Sequence, residues 1–304
     1  MKQRLYLGID GGGSNLRAVV VDESLTTVAQ SRYQGSANPS SLGHGEASRR
    51  IRALIAQTCA ELPLEAAVRG VGIGVAGAAA SHSADWLVEV VEGALPDAVV
   101  FPSSDFEIAL VGAHGAREGI LVLAGTGSVA FGVNAAGQTA QAGGWGYLIG
   151  DEGSGYWIGA RALTAVTQAA DGQAGPTLLS NRLLNVLNLR SAMDVIPWLY
   201  RDTPAVVPTV AGLARHVLEL AGSDSIAAGI LDSAAAALVH LSTAVRMRLG
   251  DMTLPIAFAG GLLSEPNPLS QLLCEELNLT AFPTARYSPV VGAALLAKLM
   301  IEGK

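Results

Sequence analysis

Basic runs are missing from this chain. It has 26 Asp and Glu against 19 Lys and Arg, a net charge of −7 over 304 residues. A non-specific nucleic-acid binder needs basic patches to meet phosphate, so the composition speaks against a nucleic-acid partner, and no Lys/Arg stretch suggests a membrane-surface patch. Cysteine is nearly absent: Cys59 and Cys274 lie far apart without metal spacing, which points to buried thiols in a reducing cytoplasm. The five histidines show no ligand spacing either. A charged n-region followed by an apolar stretch and cleavage site is lacking, so no signal peptide is expected. Residues 119–150 carry no charge and could mimic a membrane span, but their glycines, Asn134, Gln138 and Gln141 argue against one. The Gly-Lys-Ser/Thr of a Walker loop does not occur, and a dinucleotide fingerprint fails because Leu16 stands where the third Gly should be.

What the chain does have is glycine, 36 residues of it, and a length that suits two domains of about 150 residues each. The stretch LYLGIDGGGSN organises the rest. Leu5, Leu7 and Ile9 read as a buried strand with Asp10 at its end, and residues 16–22 read as a second strand. A tight glycine loop between strands lets backbone N–H groups approach an anion, and an aspartate beside it suits a hydrated Mg²⁺; an ordinary Gly-rich hairpin fits the same letters. Residues 27–33 follow as a strand. Residues 35–43 read as a loop holding Asn38, either a turn residue or a donor to a substrate hydroxyl. A helix is expected over 44–62, a strand over 68–77, a helix over 84–95 and a short strand over 98–101 ended by Pro102. Asp105 then opens an apolar helical run. It is either the N-cap or an acid at a strand's C-terminal edge facing a crevice.

The grammar repeats. Residues 120–124 read as a strand, Gly125-Thr126-Gly127-Ser128 as a second glycine loop, and 129–133 as the next strand. Two such units suggest two related domains. In residues 143–155 Trp145 sits among glycines, with Asp151 and Glu152 at the entry of a helix starting near Ser154; a carboxylate there either favours the helix dipole or grips sugar hydroxyls. Asp151 is expected to lie beside Trp145 and away from both glycine loops. Helices are expected over 178–187, 192–200, 207–221 and 225–249, a strand over 256–259 closed by Gly260-Gly261, a helix over 269–277, a brief strand over 280–282 and a helix over 289–301.

The ordered motifs DGGGS (10–14), SD (104–105), GTGS (125–128), GGWG (143–146), GDEGS (150–154) and AGG (259–261) resemble N-acetylglucosamine kinases and, more broadly, the BadF/BadG/BcrA/BcrD ATPases of the sugar-kinase, actin and heat-shock chaperone superfamily. The resemblance implies an α/β fold of two ribonuclease-H-like domains with an ATP cleft between them: residues 1–115 with a returning helix at 288–304, and residues 116–287 with a helical insertion. It further implies ATP and Mg²⁺ as cofactors, a small amino sugar as substrate, a cytoplasmic homodimer, and closure that shields the reaction from water. By motif position Asp10 is the Mg²⁺-associated acid. Gly12, Gly13, Ser14, Thr126, Gly127, Ala211, Gly212, Gly260, Gly261 and Leu262 fall to ATP. Asn38, Ser128, Val129, Gly144, Trp145 and Asp151 fall to the sugar, and Asp105 to the catalytic base. Val129 replaces a polar residue of some relatives, which leaves N-acetylglucosamine and free glucosamine both open. An activator-type ATPase or a non-catalytic sugar sensor is the remaining alternative; the activator needs cysteines for an iron–sulfur cluster, and Cys59 and Cys274 lack that arrangement.

Overall fold

A computed structural model describes residues 4–12, 15–63, 66–77, 84–200 and 205–303. The chain divides into two compact units, one of residues 1–121, 132–139 and 285–304, the other of residues 122–131 and 140–284.

The first unit starts with strands β1 (Arg4–Gly11), β2 (Asn15–Val21) and β3 (Thr27–Gln34). Helices α1 (Pro39–Leu42) and α2 (His44–Cys59), strand β4 (Ala67–Val75), helix α3 (Ala84–Glu92), strand β5 (Val99–Ser103) and helix α4 (Asp105–His114) follow. The sheet order is β3-β2-β1-β4-β5, with β1 antiparallel to β2 and parallel to β4. Alternation along β1 serves two cores. Leu5, Leu7 and Ile9 pack with Ile51, Leu54 and Ile55 of α2 and with Leu87, Val90 and Val91 of α3. Tyr6 faces the other way, with Val19, Val21, Ala294 and Ala297. A strand covered on both faces has no polar alternation, which is why it reads as one apolar run. The β5 strand runs on through Pro102 instead of ending there, because it is the sheet edge, where a missing N–H breaks no ladder.

The second sheet has the order β8-β7-β6-β9, from β6 (Gly119–Ala124), β7 (Ser128–Val133), β8 (Thr139–Gly143) and β9 (Ile256–Ala259). The polar, glycine-bounded β8 was not legible as a strand. Between β8 and β9 run α5 (Gly155–Ala170), α6 (Leu178–Val186), a 3₁₀ turn (Ala192–Asp194), α7 (Val195–Leu199), α8 (Val206–Gly212), α9 (Ala214–Leu220) and α10 (Ser225–Leu249). Two expected helices are therefore broken. The one over 192–200 opens as 3₁₀ with Pro197 close behind, and the one over 207–221 turns at Leu213, whose N–H bonds Val210 O at 3.0 Å. After α11 (Pro268–Glu276) the strand expected at 280–282 is absent; Pro283 cannot donate to a ladder, and Phe282 packs edge-on to Phe258 at 5.8 Å. Helix α12 (Pro289–Glu302) belongs to the first unit. It lies so close to β1 and β4 that a Cβ on Gly72 would land on the Ala293 carbonyl and one on Gly8 on the Val290 carbonyl.

Candidate functional site

In the first unit the C-terminal ends of β1, β4 and β5 gather the acids. Asp10 pairs in register with Arg17 on β2 and Gly74 on β4, and Gly74 pairs with Ser103 on β5. A Cβ on Gly74 would stand 2.7 Å from the Ser104 carbonyl, so this glycine lets the first turn of α4 settle onto β4 and brings Asp105 towards Asp10. The N-cap of α4 is Ser104, whose hydroxyl accepts from Glu107 N at 3.0 Å. Asp105 is thus the first helical residue, and its reading as the cap is wrong. Burial raises its pKa above the ordinary aspartate value, and the backbone N–H groups of Asp105 and Phe106 pull against that rise. Burial raises Asp10 as well; Asp105 adds to the rise and Arg17 opposes it. Glu107, which sequence reasoning passed over, accepts from Ser103 Oγ at 2.8 Å and from Arg117 Nε at 2.7 Å, bracing the turn that carries Asp105. The Ser-x-x-Glu spacing of 104–107 was the available signal.

Around the first glycine loop, Gly12 N donates to Asn15 O at 2.9 Å and Ala76 N to Gly11 O at 2.8 Å. Gly13 and Ser14 lie outside the described residues. Asn38 caps α1, its Oδ1 accepting from Ser40 N at 2.8 Å, and its side chain packs on Gly77. The oxygen is occupied by the cap, so the amide NH₂ is the group suited to a ligand oxygen.

In the second unit the loop after β6 is held by its carbonyls. Gly155 N donates to Gly125 O at 2.8 Å, Tyr156 N to Thr126 O at 3.3 Å, and Gly125 N to Gly127 O at 2.9 Å. The N–H groups of Thr126 and Gly127 have no partner among the described residues, which is the arrangement an anion-binding loop needs. The turn after β9 meets this loop: Leu262 N donates to Ala124 O at 3.1 Å, and Gly260, at φ +87°, abuts the same carbonyl where no Cβ fits. Gly261 N lies 3.9 Å from the position a Gly125 Cβ would take. The Ala211 carbonyl lies 3.0 Å from the corresponding point on Gly155, while Gly212 ends α8 with open space around it.

The residues assigned to a sugar also converge. Gly144 N donates to Ser128 O at 2.9 Å and packs against Val129, and Ser128 Oγ donates to Glu152 O at 2.8 Å. Trp145 is 74% exposed beside them. Asp151 is 8% exposed and held at φ +60°, an uncommon conformation for a non-glycine residue. Burial raises its pKa, and the backbone N–H groups of Ser128 and Gly146 pull against that rise. A Cβ on Gly127 would stand 2.6 Å from Asp151 Oδ2, so Asp151 touches the second glycine loop, contrary to the separation expected from sequence. Its neighbours along the chain could not show this, because the contact spans residues 127 and 151 through the fold.

Among the described residues no group of three or more His, Cys, Asp or Glu could hold a metal ion. Magnesium does not ask for one, since it keeps waters and binds through one or two carboxylates and substrate phosphates. The desolvated carboxylate of Asp10 is a donor of that kind.

The model of the BadF/BadG/BcrA/BcrD ATPase family matches residues 7–297. The chain is 32% identical over 281 residues to an N-acetylmuramic acid/N-acetylglucosamine kinase of Clostridium acetobutylicum, covering 91% of each chain. It is 31% identical to an N-acetyl-D-glucosamine kinase of Dictyostelium discoideum, covering 98% of each. Among solved structures it is similar to a Chromobacterium violaceum protein assigned as an N-acetylglucosamine kinase, with TM-score 0.72, 28% identity, and coverage of 97% of this chain and 99% of that one.

Proposed function

The chain belongs to the BadF/BadG/BcrA/BcrD ATPase family, and on that premise we propose that it is an ATP-dependent kinase that phosphorylates N-acetyl-D-glucosamine at the 6-hydroxyl. Its two sheets are the ribonuclease-H-like, actin-like ATPase arrangement of that family. The observation that carries the reading is the pair of acids, Asp10 and Asp105, at the C-terminal ends of the strands. Asp105 is free of capping duty, desolvated and more basic than an ordinary aspartate, which suits a proton acceptor.

In this reading the Thr126 and Gly127 N–H groups receive phosphate oxygens of ATP, joined by Gly12, Gly13 and Ser14. The turn Gly260–Leu262 with Ala211 and Gly212 lines the nucleoside. Asp10 would hold Mg²⁺, which would neutralise charge on the phosphates. Asn38, Ser128, Gly144, Trp145 and Asp151 orient the sugar. Asp105 takes the proton of the 6-hydroxyl as that oxygen bonds to the γ-phosphorus. The bond from the γ-phosphorus to the β–γ bridging oxygen breaks, ADP departs with the electron pair, and Asp105 later returns its proton to water. Positioning and charge neutralisation account for most of such a reaction. Val129 is buried and apolar, which favours the methyl of an acetamido group over the ammonium of glucosamine. A cytoplasmic homodimer completes the proposal; the two free thiols, Cys59 and Cys274, support that compartment.

The test is a coupled ATPase assay with Mg-ATP and a panel of hexoses and amino sugars, including glucosamine and N-acetylmuramic acid. Turnover should depend on N-acetylglucosamine. Equal ATP turnover with and without every sugar overturns the proposal, and a clear preference for glucosamine corrects its substrate.

A further inference from the structure

Two segments that the proposed function gives to different ligands end on one carboxylate. Thr126 and Gly127 of the second glycine loop are assigned to the phosphates of ATP, and Ser128 with the Trp145 loop to the sugar. Asp151 Oδ2 lies 2.6 Å from the point a Gly127 Cβ would take, against the first, and the backbone N–H groups of Ser128 and Gly146 in the second act on the same carboxyl. Three hydrogen bonds brace this region. Gly144 N donates to Ser128 O at 2.9 Å, Ser128 Oγ to Glu152 O at 2.8 Å, and Ser154 N to Asp151 O at 3.1 Å. The last leads into α5, whose first two N–H groups hold the carbonyls of Gly125 and Thr126. The backbone at Asp151 is held at φ +60° with the side chain nearly buried, so the carboxylate cannot follow one loop without disturbing the other.

We propose that Asp151 is a positioning residue that couples sugar and nucleotide binding, so that a sugar seated against the Trp145 loop sets the Gly125–Ser128 loop for phosphate. This rests on the proposed sugar-kinase function and adds to it. An ionised carboxylate has lone pairs to spare after two N–H bonds. A sugar hydroxyl donating to Asp151 reorients the carboxylate oxygens that lie against Gly127, and the Thr126 and Gly127 N–H groups, two and one residues upstream of Ser128, move with them. Coupling of this kind is reciprocal: whatever factor the sugar contributes to nucleotide affinity, the nucleotide returns to sugar affinity.

The experiment is calorimetry on the full chain with the non-hydrolysable analogue AMPPNP and Mg²⁺, with and without saturating N-acetylglucosamine, and the reverse titration. In the wild type the sugar should tighten AMPPNP by about 5–150-fold, the usual range of coupling between two sites. Asp151→Asn keeps the volume and one acceptor but cannot accept both N–H groups as an anion; its coupling factor should fall to within about twofold of unity, a change that a merely structural role would not single out. Gly127→Ala is the second variant. Its φ lies outside the left-handed range, so the added methyl meets only the end of the Asp151 side chain, and the same loss of coupling is expected. Either variant keeping the wild-type factor overturns the proposal. So does a wild type that binds both ligands independently. Loss of sugar binding in Asp151→Asn with full coupling in Gly127→Ala would make Asp151 a sugar ligand only, and also overturns it. A wild type that binds AMPPNP but no sugar would instead sink the functional reading itself.

Discussion

Asp105→Asn separates chemistry from structure at one position. The cap of α4 is Ser104, so the substitution leaves the cap hydrogen bond in place. An asparagine oxygen still faces the backbone N–H groups of Asp105 and Phe106 that act on the carboxylate. What is lost is a negative charge in the first helical turn, about 0.3–1 kcal/mol of dipole interaction. Against this, burial disfavours that charge. A carboxyl whose pKa is raised in the folded state contributes stability below its unfolded pKa and loses it as pH rises through the folded one, so at neutral pH the ionised Asp105 is a cost that asparagine removes. The two effects have opposite sign, and the net change should stay within about 1 kcal/mol, or roughly 2–4 °C in Tm. The catalytic effect is of another size. Loss of a general base costs about 10²–10⁴-fold in kcat, roughly 2.7–5.4 kcal/mol of barrier. In the wild type kcat/KM should fall on acidification with a midpoint above the ordinary aspartate value, and in Asp105→Asn that acid limb should vanish from the residual rate. The assay is steady-state kinetics from pH 4 to 8 beside calorimetric melting. Normal kcat in the variant, or a rate loss accompanied by a collapse of Tm, refutes the reasoning.

Asp224 joins two helices: its Oδ1 accepts from Ile226 N and Ala227 N to cap α10, and its Oδ2 accepts from Thr177 Oγ1 and Leu178 N at the start of α6. Asp224→Ala should therefore lose about 1–4 kcal/mol, two caps' worth, measured by denaturant unfolding. Burial pushes the Asp224 carboxyl up, but these hydrogen bonds outweigh it and hold the pKa below the ordinary value. The stability it contributes is present above the unfolded pKa and drains as pH falls through the folded one, so Asp224→Asn should flatten the acid limb of the stability curve. Gly72→Ala drives a methyl into the Ala293 carbonyl, which as backbone cannot give way. It should cost about 1–3 kcal/mol and loosen α12 in hydrogen exchange; an unchanged Tm would contradict the packing described.

Much of the first sheet and the local setting of the candidate site residues was legible because it rests on local signals. Alternating apolar residues before Asp10, glycines after it, and Ser104-Asp105 at the start of a helical run are neighbours in the chain. What escaped depends on distance. The Asp151 contact with Gly127 and the double cap at Asp224 need the fold to bring remote segments together. The split at Leu213 and the 3₁₀ opening at Ala192 show helices that propensity would continue and tertiary packing interrupts. Ser104 and Asp105 are both good caps, and only backbone geometry tells which one serves: Ser104 is extended at φ −84° and ψ 158°.

The docking of α12 on the first strands has a consequence for how the chain matures. Synthesis delivers Tyr6, Val19 and Val21 more than 270 residues ahead of Ala294 and Ala297, which cover them. At about 5–20 residues per second, roughly 15–60 s separate the two. For that interval one face of the opening sheet has no cover, while its other face can already close on α2 and α3. The first unit is thus begun first and completed last, and a chain truncated before residue 289 would keep that apolar face open as a target for chaperones and for other unfinished chains.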